Sequence, residues 1–402
     1  MPFASTARLR REIEGRIPER PFAVEFWDGT RLPVTSGDSG PTFYVRSPRA
    51  AARALLAPGQ LGLGRAYVSG EIEIDDIDAV IGLLDSWEPP PLESGDKARL
   101  LLGAVRAAGL TRPPRRPAAE LRPSGRRHTK ERDAEAVRHH YDVSNEFFAL
   151  FLDDSMTYSC AVFSRGAETL EAAQEEKLEM VARKLDLKEG ERVLDVGCGW
   201  GSFPLWAATR HGARVLGITL SPPQAERARQ RAEAAGVADR VEIRVMDYRD
   251  LAGERFDAIA SIGMVEHVGV AQIDVYARTL AGLLEPNGRL LNHGIARLRH
   301  TDPDAGPFSE RYVFPDAEPL HLSRVLLALE RAGFYTRHVE EFGADYAETL
   351  RHWARRLDEN LDEAVRLAGP ERVRVWRLYL RMARNGFENG FLSIYQARCS
   401  LA

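Results

Sequence analysis

The stretch Val193-Leu194-Asp195-Val196-Gly197-Cys198-Gly199-Trp200-Gly201 decides the fold. Apolar residues with strand character run into three glycines at alternate positions, and helix-forming residues follow. Glycine in such a turn admits φ > 0 and lets the backbone approach a ligand closely. In open α/β sheets ligands bind at the carboxyl ends of the strands, where this turn lies. Working outward, RVLGITL, VEIRVMD, FDAIASIG and GRLLNHGI read as further apolar strands, with helices such as Ser221 to Ala235 between them. That alternation over Glu191 to Gly288 predicts a parallel sheet with helices on both faces, an α/β fold.

A glycine-rich loop alone also suits a dinucleotide or plain tight packing. Here Asp195 precedes the glycines, and a carboxylate suits a positively charged ligand better than a pyrophosphate. The loop closely resembles the DxGxG loop of class I methyltransferases at Asp195, Gly197 and Gly199, which implies S-adenosylmethionine as cofactor and a Rossmann-like sheet. In that family the second strand usually ends in an acidic residue that holds the ribose. This strand ends Gly217-Ile218-Thr219-Leu220-Ser221, with no carboxylate. Thr219 and Leu220 are expected to border the cofactor, and Gln224 to hydrogen-bond its ribose or its methionine portion. Asp247 and Tyr248 follow the next strand, where Asp247 is placed to accept from the adenine amino group and Tyr248 to stack; a simple strand-end cap is the alternative for Asp247. Cys198 reads as a small residue within the turn.

The chain has 402 residues, enough for two or three domains, with 44% hydrophobic and 28% charged residues. A formal net charge of −4 does not advertise nucleic acid or an anionic membrane. Three cysteines make no disulfide framework, which points to a reducing cytoplasm. The opening MPFASTARLRREIEGR has no apolar run behind its charges, so no signal peptide is expected, and any membrane contact is expected to be peripheral. Residues 1–95 read as a small N-terminal α/β domain. Phe22 to Val34 and Thr42 to Val45 have strand character with a turn at Asp28-Gly29, and Arg49 to Leu56 and Ile77 to Trp87 read as helices. Residues 96–132 read as a linker broken by Pro113-Pro114, and between Lys97 and Arg132 it carries eleven Lys or Arg and two Glu. It is either a solvated connector or a foothold on anionic lipid. Residues 133–402 read as the catalytic domain. His139, His140 and His267 fit no zinc spacing.

Further motifs lie in this domain: His140-Tyr141-Asp142-Val143-Ser144-Asn145, Met156-Thr157-Tyr158-Ser159-Cys160-Ala161, Glu266-His267-Val268-Gly269 and Phe342-Gly343-Ala344-Asp345-Tyr346. Together they resemble cyclopropane-fatty-acid synthases and mycolic acid cyclopropane synthases, from about residue 135 to the C-terminus. A weaker likeness at Gly62 to Asp76 points to the longer, phospholipid-acting members. The resemblance implies methyl transfer to the double bond of an unsaturated acyl chain in a phospholipid. It also implies a bicarbonate ion beside the sulfonium methyl, held by Cys160, Glu266, His293 and Tyr346, with Tyr158 and Ser159 lining the cofactor site. A homodimer through the N-terminal domain, and work at the cytoplasmic face of the membrane, are expectations of the same kind.

The chemistry accounts for such a set. An alkene is a poor nucleophile, so the methyl donor must be held close and in line. The resulting carbocation needs a dry pocket, negative potential and aromatic faces, and a proton must then leave. Phe147 to Leu152 and the stripe from Trp376 to Tyr395 are either core or an acyl tunnel. Ring closure gives a cyclopropane; a hydride shift before proton loss gives a 10-methylene branch, which a reductase partner would complete. Asn292-His293-Gly294-Ile295, with Glu146, looks more like the actinobacterial methylene-forming branch. The competing readings are methylation of a small molecule at N or O, and a non-catalytic lipid-binding subunit. Nucleic acid is not an expected partner, because the basic charge is confined to the linker.

Overall fold

The computed structural model describes residues 6–57, 59–88, 90, 91, 95, 99, 114–121, 127–141, 143–300 and 306–401. They divide into two compact units. The first is drawn from Met1–Arg122, Gly306–Tyr312 and Gly369–Asn385; the second is drawn from Pro123–Ala305, Val313–Ala368 and Gly386–Ala402. The sequence reading takes 133–402 as one continuous domain, whereas here two of its segments cluster with the N-terminal residues. Much of the basic linker, Asp142 and the side chains of His139 and His140 lie outside what is described.

In the first unit, β1 (Ala23–Glu25) and β2 (Arg31–Leu32) form the hairpin expected around Asp28-Gly29. The Asp28 carboxylate accepts from the backbone N–H of Thr30 at 3.1 Å and that of Thr6 at 3.1 Å, which closes the turn. β3 (Thr42–Val45) pairs parallel to β1, and β4 (Ile72–Ile74) antiparallel to β3. Helices Arg49–Leu56 and Ile77–Ser86 stand where their Ala-rich and amphipathic patterns place them. Asp76 caps the latter by accepting from Ala79 N–H at 2.9 Å.

The second unit is built on a seven-stranded sheet. In chain order its strands are β5 (Arg192–Val196), β6 (Arg214–Thr219), β7 (Val241–Val245), β8 (Phe256–Ile262), β9 (Leu284–Arg297), β10 (Phe334–Glu341) and β11 (Leu392–Leu401). They lie in the order β10-β11-β9-β8-β5-β6-β7, and β11 pairs antiparallel to both its neighbours. Alternate residues serve opposite faces, as the two-residue period of a strand requires. Val193 and Val215 pack under helices Leu170–Leu185, Ser202–His211 and Pro222–Ala234. Leu194, Val196, Leu216 and Ile218 pack under Ile273–Leu283 and Leu322–Arg331. Both faces of β5 and β6 are therefore buried, and these strands read as continuous apolar runs for that reason. Ser221 caps the helix after β6 and Pro222 opens it.

Candidate active site

The turn after β5 has the geometry its glycines imply. Gly197, Gly199 and Gly201 have φ of +84°, +52° and +83°, conformations that side chains oppose. Backbone N–H groups of Gly197 and Cys198 donate to Ile218 O at 3.0 and 2.9 Å, tying the turn to β6. Asp195 is buried and, among the described residues, its Oδ1 has no hydrogen-bond partner. Burial pushes its carboxyl up to about 7, against the opposing pull of the Lys177 ammonium. An unsatisfied buried carboxylate oxygen beside a bare backbone cradle fits a cationic, hydrogen-bonding ligand.

At the end of β6, Thr219 Oγ1 donates to Gln224 Oε1 at 2.8 Å and accepts from Ser221 N–H at 3.2 Å. With its carbonyl taken, Gln224 has its –NH2 to present to a ligand. At the end of β7, Asp247 is gripped by Arg249, whose Nε donates to Oδ1 at 2.8 Å and Nη2 to Oδ2 at 2.6 Å. Burial would raise this carboxyl, but the Arg249 contacts outweigh it and hold it below the usual range. Asp247 also caps the short turn Tyr248–Asp250 by accepting from Arg249 N–H at 2.8 Å. It therefore combines the strand-end cap with a place on the pocket wall. Tyr248 lies edge-on to Tyr276, with ring centroids 5.8 Å apart. Gly197, Gly199, Thr219, Leu220, Gln224, Asp247 and Tyr248 line one cleft with about 950 Å³ of empty space, mouth included. That suits a nucleoside-sized ligand.

A second cavity opens behind the loop, lined by Tyr158, Ser159, Lys177, Asp195 and Trp200, and it shares Gly197, Gly199 and Gln224 with the first. The segment that carries Tyr158 and Ser159 is pinned from several sides. Asp153 Oδ1 accepts from Thr157 N–H at 3.0 Å, and Gln174 Nε2 donates to Thr157 O at 3.2 Å and Ser159 O at 2.9 Å. Lys177 Nζ donates to Ser159 Oγ at 2.9 Å, and the Tyr158 ring stacks on Trp353 at 5.1 Å. Gln174, Lys177 and Trp353 escape the motif reading. Gln174 and Lys177 were detectable in principle, because they interrupt the apolar stripe Leu170, Ala173, Leu178, Val181, Leu185. Burial lowers Lys177 to about 8, and its charge acts on Asp195, Cys160 and His293.

The four residues matched to an anion site fall into two pairs. Glu266, just past β8, is buried with Oε2 unpartnered among the described residues, and burial raises its carboxyl to about 7. It lies against bare backbone: a methyl on Gly294 would stand 3.5 Å from Oε2. His293, on β9, is fully buried and Nε2 has no partner among the described residues. The rung Ile262↔His293 sets it level with the end of β8, and Gly263 N–H donates to its carbonyl at 2.9 Å. The second pair meets at Phe342. Its carbonyl accepts from Tyr346 N–H at 3.0 Å and lies 3.8 Å from Cys160 Sγ. Phe342 N–H donates to Ile394 O, and Ile394 stands opposite Ile295 on β9, two residues from His293. Burial pushes the Cys160 thiol well above its ordinary value, so it acts as a neutral group.

Phe147, Phe148 and Phe151, one half of the expected tunnel, are fully buried and pack on one another, with Trp200 and Tyr158 beside Phe148. They form core beneath the cofactor segment. The other half is split, with Trp376, Tyr379, Leu380 and Met382 in the first unit and Phe387, Phe391 and Tyr395 in the second.

The family model for mycolic acid cyclopropane synthetase matches residues 128–397. A probable fatty acid methyltransferase of Mycobacterium tuberculosis is 40% identical over 96% of this chain and 92% of its own length. A tuberculostearic acid methyltransferase of the same organism is 31% identical over 98% of this chain and 91% of its own. Among solved structures, a mycolic acid cyclopropane synthase complexed with SAH and CTAB superposes with a TM-score of 0.63 at 30% identity. It covers 66% of this chain and 98% of that one. With its glycine cradle, orphaned Asp195 and sheet order, the chain belongs to the mycolic acid cyclopropane synthetase family, and it is an S-adenosylmethionine-dependent methyltransferase of the cyclopropane fatty acid synthase type.

Proposed function

We propose that this enzyme methylates the cis double bond of an unsaturated fatty acyl chain in a phospholipid, with bicarbonate as the base, and that the product is a 10-methylene branch. The observation that carries the reading is the pair of buried polar atoms Glu266 Oε2 and His293 Nε2, without partners among the described residues, on residues that adjoin Gly263 of the cofactor cleft. Such atoms are costly unless a ligand satisfies them. A site that must manage a carbocation and then remove a proton has a use for both.

When bound, S-adenosylmethionine supplies an electrophilic methyl group and bicarbonate supplies a compact base. The chain's own residues do the rest. Asp195, Gly197, Gly199, Thr219, Leu220, Gln224, Asp247, Tyr248, Tyr158 and Ser159 would hold the cofactor. Glu266, His293, Cys160 and Tyr346 would hold the oxyanion; a carboxylate, an imidazole and a phenol between them offer the acceptor and donors that a bicarbonate ion needs. Methyl addition uses the alkene's π pair and leaves a cation on the acyl chain. One proton must then depart, and the Glu266 carboxyl, raised to about 7, sits at a value suited to sharing it near neutral pH. The buried aromatic rings around Tyr158 exclude water from this side of the cleft.

The acyl substrate is supported by the relatives that bear fatty acid methyltransferase and tuberculostearic acid methyltransferase names. Among the described residues no helix is long and apolar enough to cross a membrane. We place the encounter with lipid at the cytoplasmic membrane surface. A homodimer and a reductase that completes the methyl branch belong to the same proposal. The test is expression in a bacterium lacking its own cyclopropane synthase, fed methyl-labelled methionine, with gas chromatography and mass spectrometry of the fatty acids. A labelled acyl chain one carbon heavier is expected, and fragmentation separates branch from ring. An unlabelled lipid pool, alongside folded protein that binds the cofactor, would overturn the reading.

A further inference from the structure

Three strands of the large sheet align their side chains beneath helix Leu170–Leu185. In register across β10, β11 and β9 stand Glu340, Gln396 and His293. Lys184 reaches them from the helix, with Nζ 2.7 Å from Glu340 Oε2 and 2.7 Å from Gln396 Oε1. Gln396 Nε2 lies 3.1 Å from His293 Nδ1. Gln396 and His293 are both fully buried.

The chemistry of the donors settles the direction of every bond. An ammonium group only donates, so the amide oxygen of Gln396 faces Lys184. Its –NH2 then faces His293 and donates, which makes Nδ1 an acceptor. A neutral imidazole carries one proton, so that proton sits on Nε2. Glu340 holds Lys184 in its charged form from the other side. The only unsatisfied atom at the end of this chain of bonds is His293 Nε2.

We propose that Lys184 and Gln396 are positioning residues that fix His293 as its Nε2–H tautomer, so that the ring presents a hydrogen-bond donor to the anion held beside Glu266. The inference rests on the oxyanion site proposed above. Its role is orientational: a donor stabilises a bound oxyanion, whereas a lone pair at the same place would repel it. Neither residue is among those that line the cofactor cleft or the cavity behind the loop.

Two variants test this. Gln396→Glu puts an acceptor-only carboxylate between Lys184 and His293; it accepts from both, draws the imidazole proton to Nδ1 and leaves Nε2 a lone pair. Lys184→Met frees the Gln396 amide to turn over. The readout is the ¹⁵N spectrum of histidine-labelled apoenzyme, with the His293 signals identified by their loss in His293→Asn. The wild type is expected to show a protonated Nε2, Gln396→Glu a protonated Nδ1, and Lys184→Met a mixture. Turnover of Gln396→Glu is expected to fall at least tenfold with the dissociation constant for S-adenosylmethionine within threefold. A wild-type proton on Nδ1, or an unchanged tautomer in the folded variants, overturns the relay. A switched tautomer with undiminished turnover overturns its part in catalysis. Should Gln396→Glu fail to fold, the Lys184→Met spectrum decides alone. The spectra need no lipid, so failure of the acyl substrate reading would leave the tautomer result standing and be seen separately.

Discussion

Asp195 and Glu266 are both carboxyls sealed from water, and burial raises both to about 7, yet the site asks different things of them. For Asp195 the sign of the pH effect follows from its raised folded value. Between about pH 4 and 7 the folded chain keeps a proton that the unfolded chain, titrating near about 3.9, has lost. Its contribution to stability therefore falls as pH rises through that window and stays low above it. Asp195→Asn removes the effect. The apo variant is expected to melt above the wild type at pH 9, where Lys177, lowered to about 8 by burial, is largely neutral and no longer offsets the carboxylate. The same variant is expected to bind S-adenosylmethionine at least tenfold more weakly, since a hydrogen bond to a charged group is worth about 1.5–3 kcal/mol. Calorimetric titration and a pair of melting curves check both halves, and equal affinity would remove Asp195 from the cofactor site. Glu266→Gln keeps the shape and loses the charge. Turnover is expected to fall about 100-fold or more, with cofactor affinity within threefold, and near-normal turnover would exclude a role in the proton step. Both carboxyls were legible from the sequence because motifs flank them. Lys177 was not: a lysine is by default read as a surface residue, and only its place on an apolar helical stripe argues otherwise.

Helix Leu170–Leu185 and strand β9 show what an element adds to a motif. Asn292 was read as a hint about the product, yet in the structure it is spoken for. It accepts from Tyr395 OH at 2.5 Å and donates to Tyr276 OH at 2.8 Å, which donates to Ser261 Oγ at 2.7 Å. A buried, satisfied chain of this kind locks β8, β9 and β11 to helix Ile273–Leu283, and that is reason enough for an asparagine there. Strands β5 to β9 were legible from their apolar runs, whereas the largely exposed β10 and the β11 beside it were not, and partners two strands apart in sequence, such as Gln396 and His293, are invisible until the antiparallel insertion of β11 is known. Gln174 is the corresponding case on the helix. Its –NH2 serves the carbonyls of Thr157 and Ser159. Gln174→Leu leaves both oxygens without that donor, at about 1–3 kcal/mol each. The expected loss is about 2–6 kcal/mol in urea unfolding, with a raised KM for S-adenosylmethionine because the Tyr158–Ser159 segment loosens. An unchanged unfolding midpoint would show that the segment is held by other contacts.

At the scale of the whole molecule, chain order and spatial order part company. The first unit takes in Gly306–Tyr312 and Gly369–Asn385, which no reading of local pattern reveals, because periodicity reports burial and not the identity of the covering element. What those segments contribute is specific. Phe308 is fully buried, and any side chain at Gly64 would come within 2.4 Å of its ring. Glu120 lies buried between Arg65 Nε at 2.7 Å and Tyr312 OH at 3.3 Å, and Leu121 N–H donates to Arg311 O at 2.8 Å. Arg374 donates to Tyr67 O at 3.1 Å, and Arg381 Nε to Asp78 Oδ2 at 3.0 Å. Without them the described N-terminal residues keep a small apolar cluster around Leu9, Val24, Phe26 and Leu32 and another around Ala50, Ala66 and Ile72. A core of that size rarely outweighs chain entropy, and Arg65 and Glu120 would lose the Tyr312 cover that keeps their pair dry. Residues 1–122 expressed alone are therefore expected to melt without a cooperative transition and to exchange the amides of β1, β3 and β4 rapidly. The same amides in the full chain are expected to be protected. A sharp melt with protected strand amides in the fragment would mean that the two later segments decorate the unit and do not complete it.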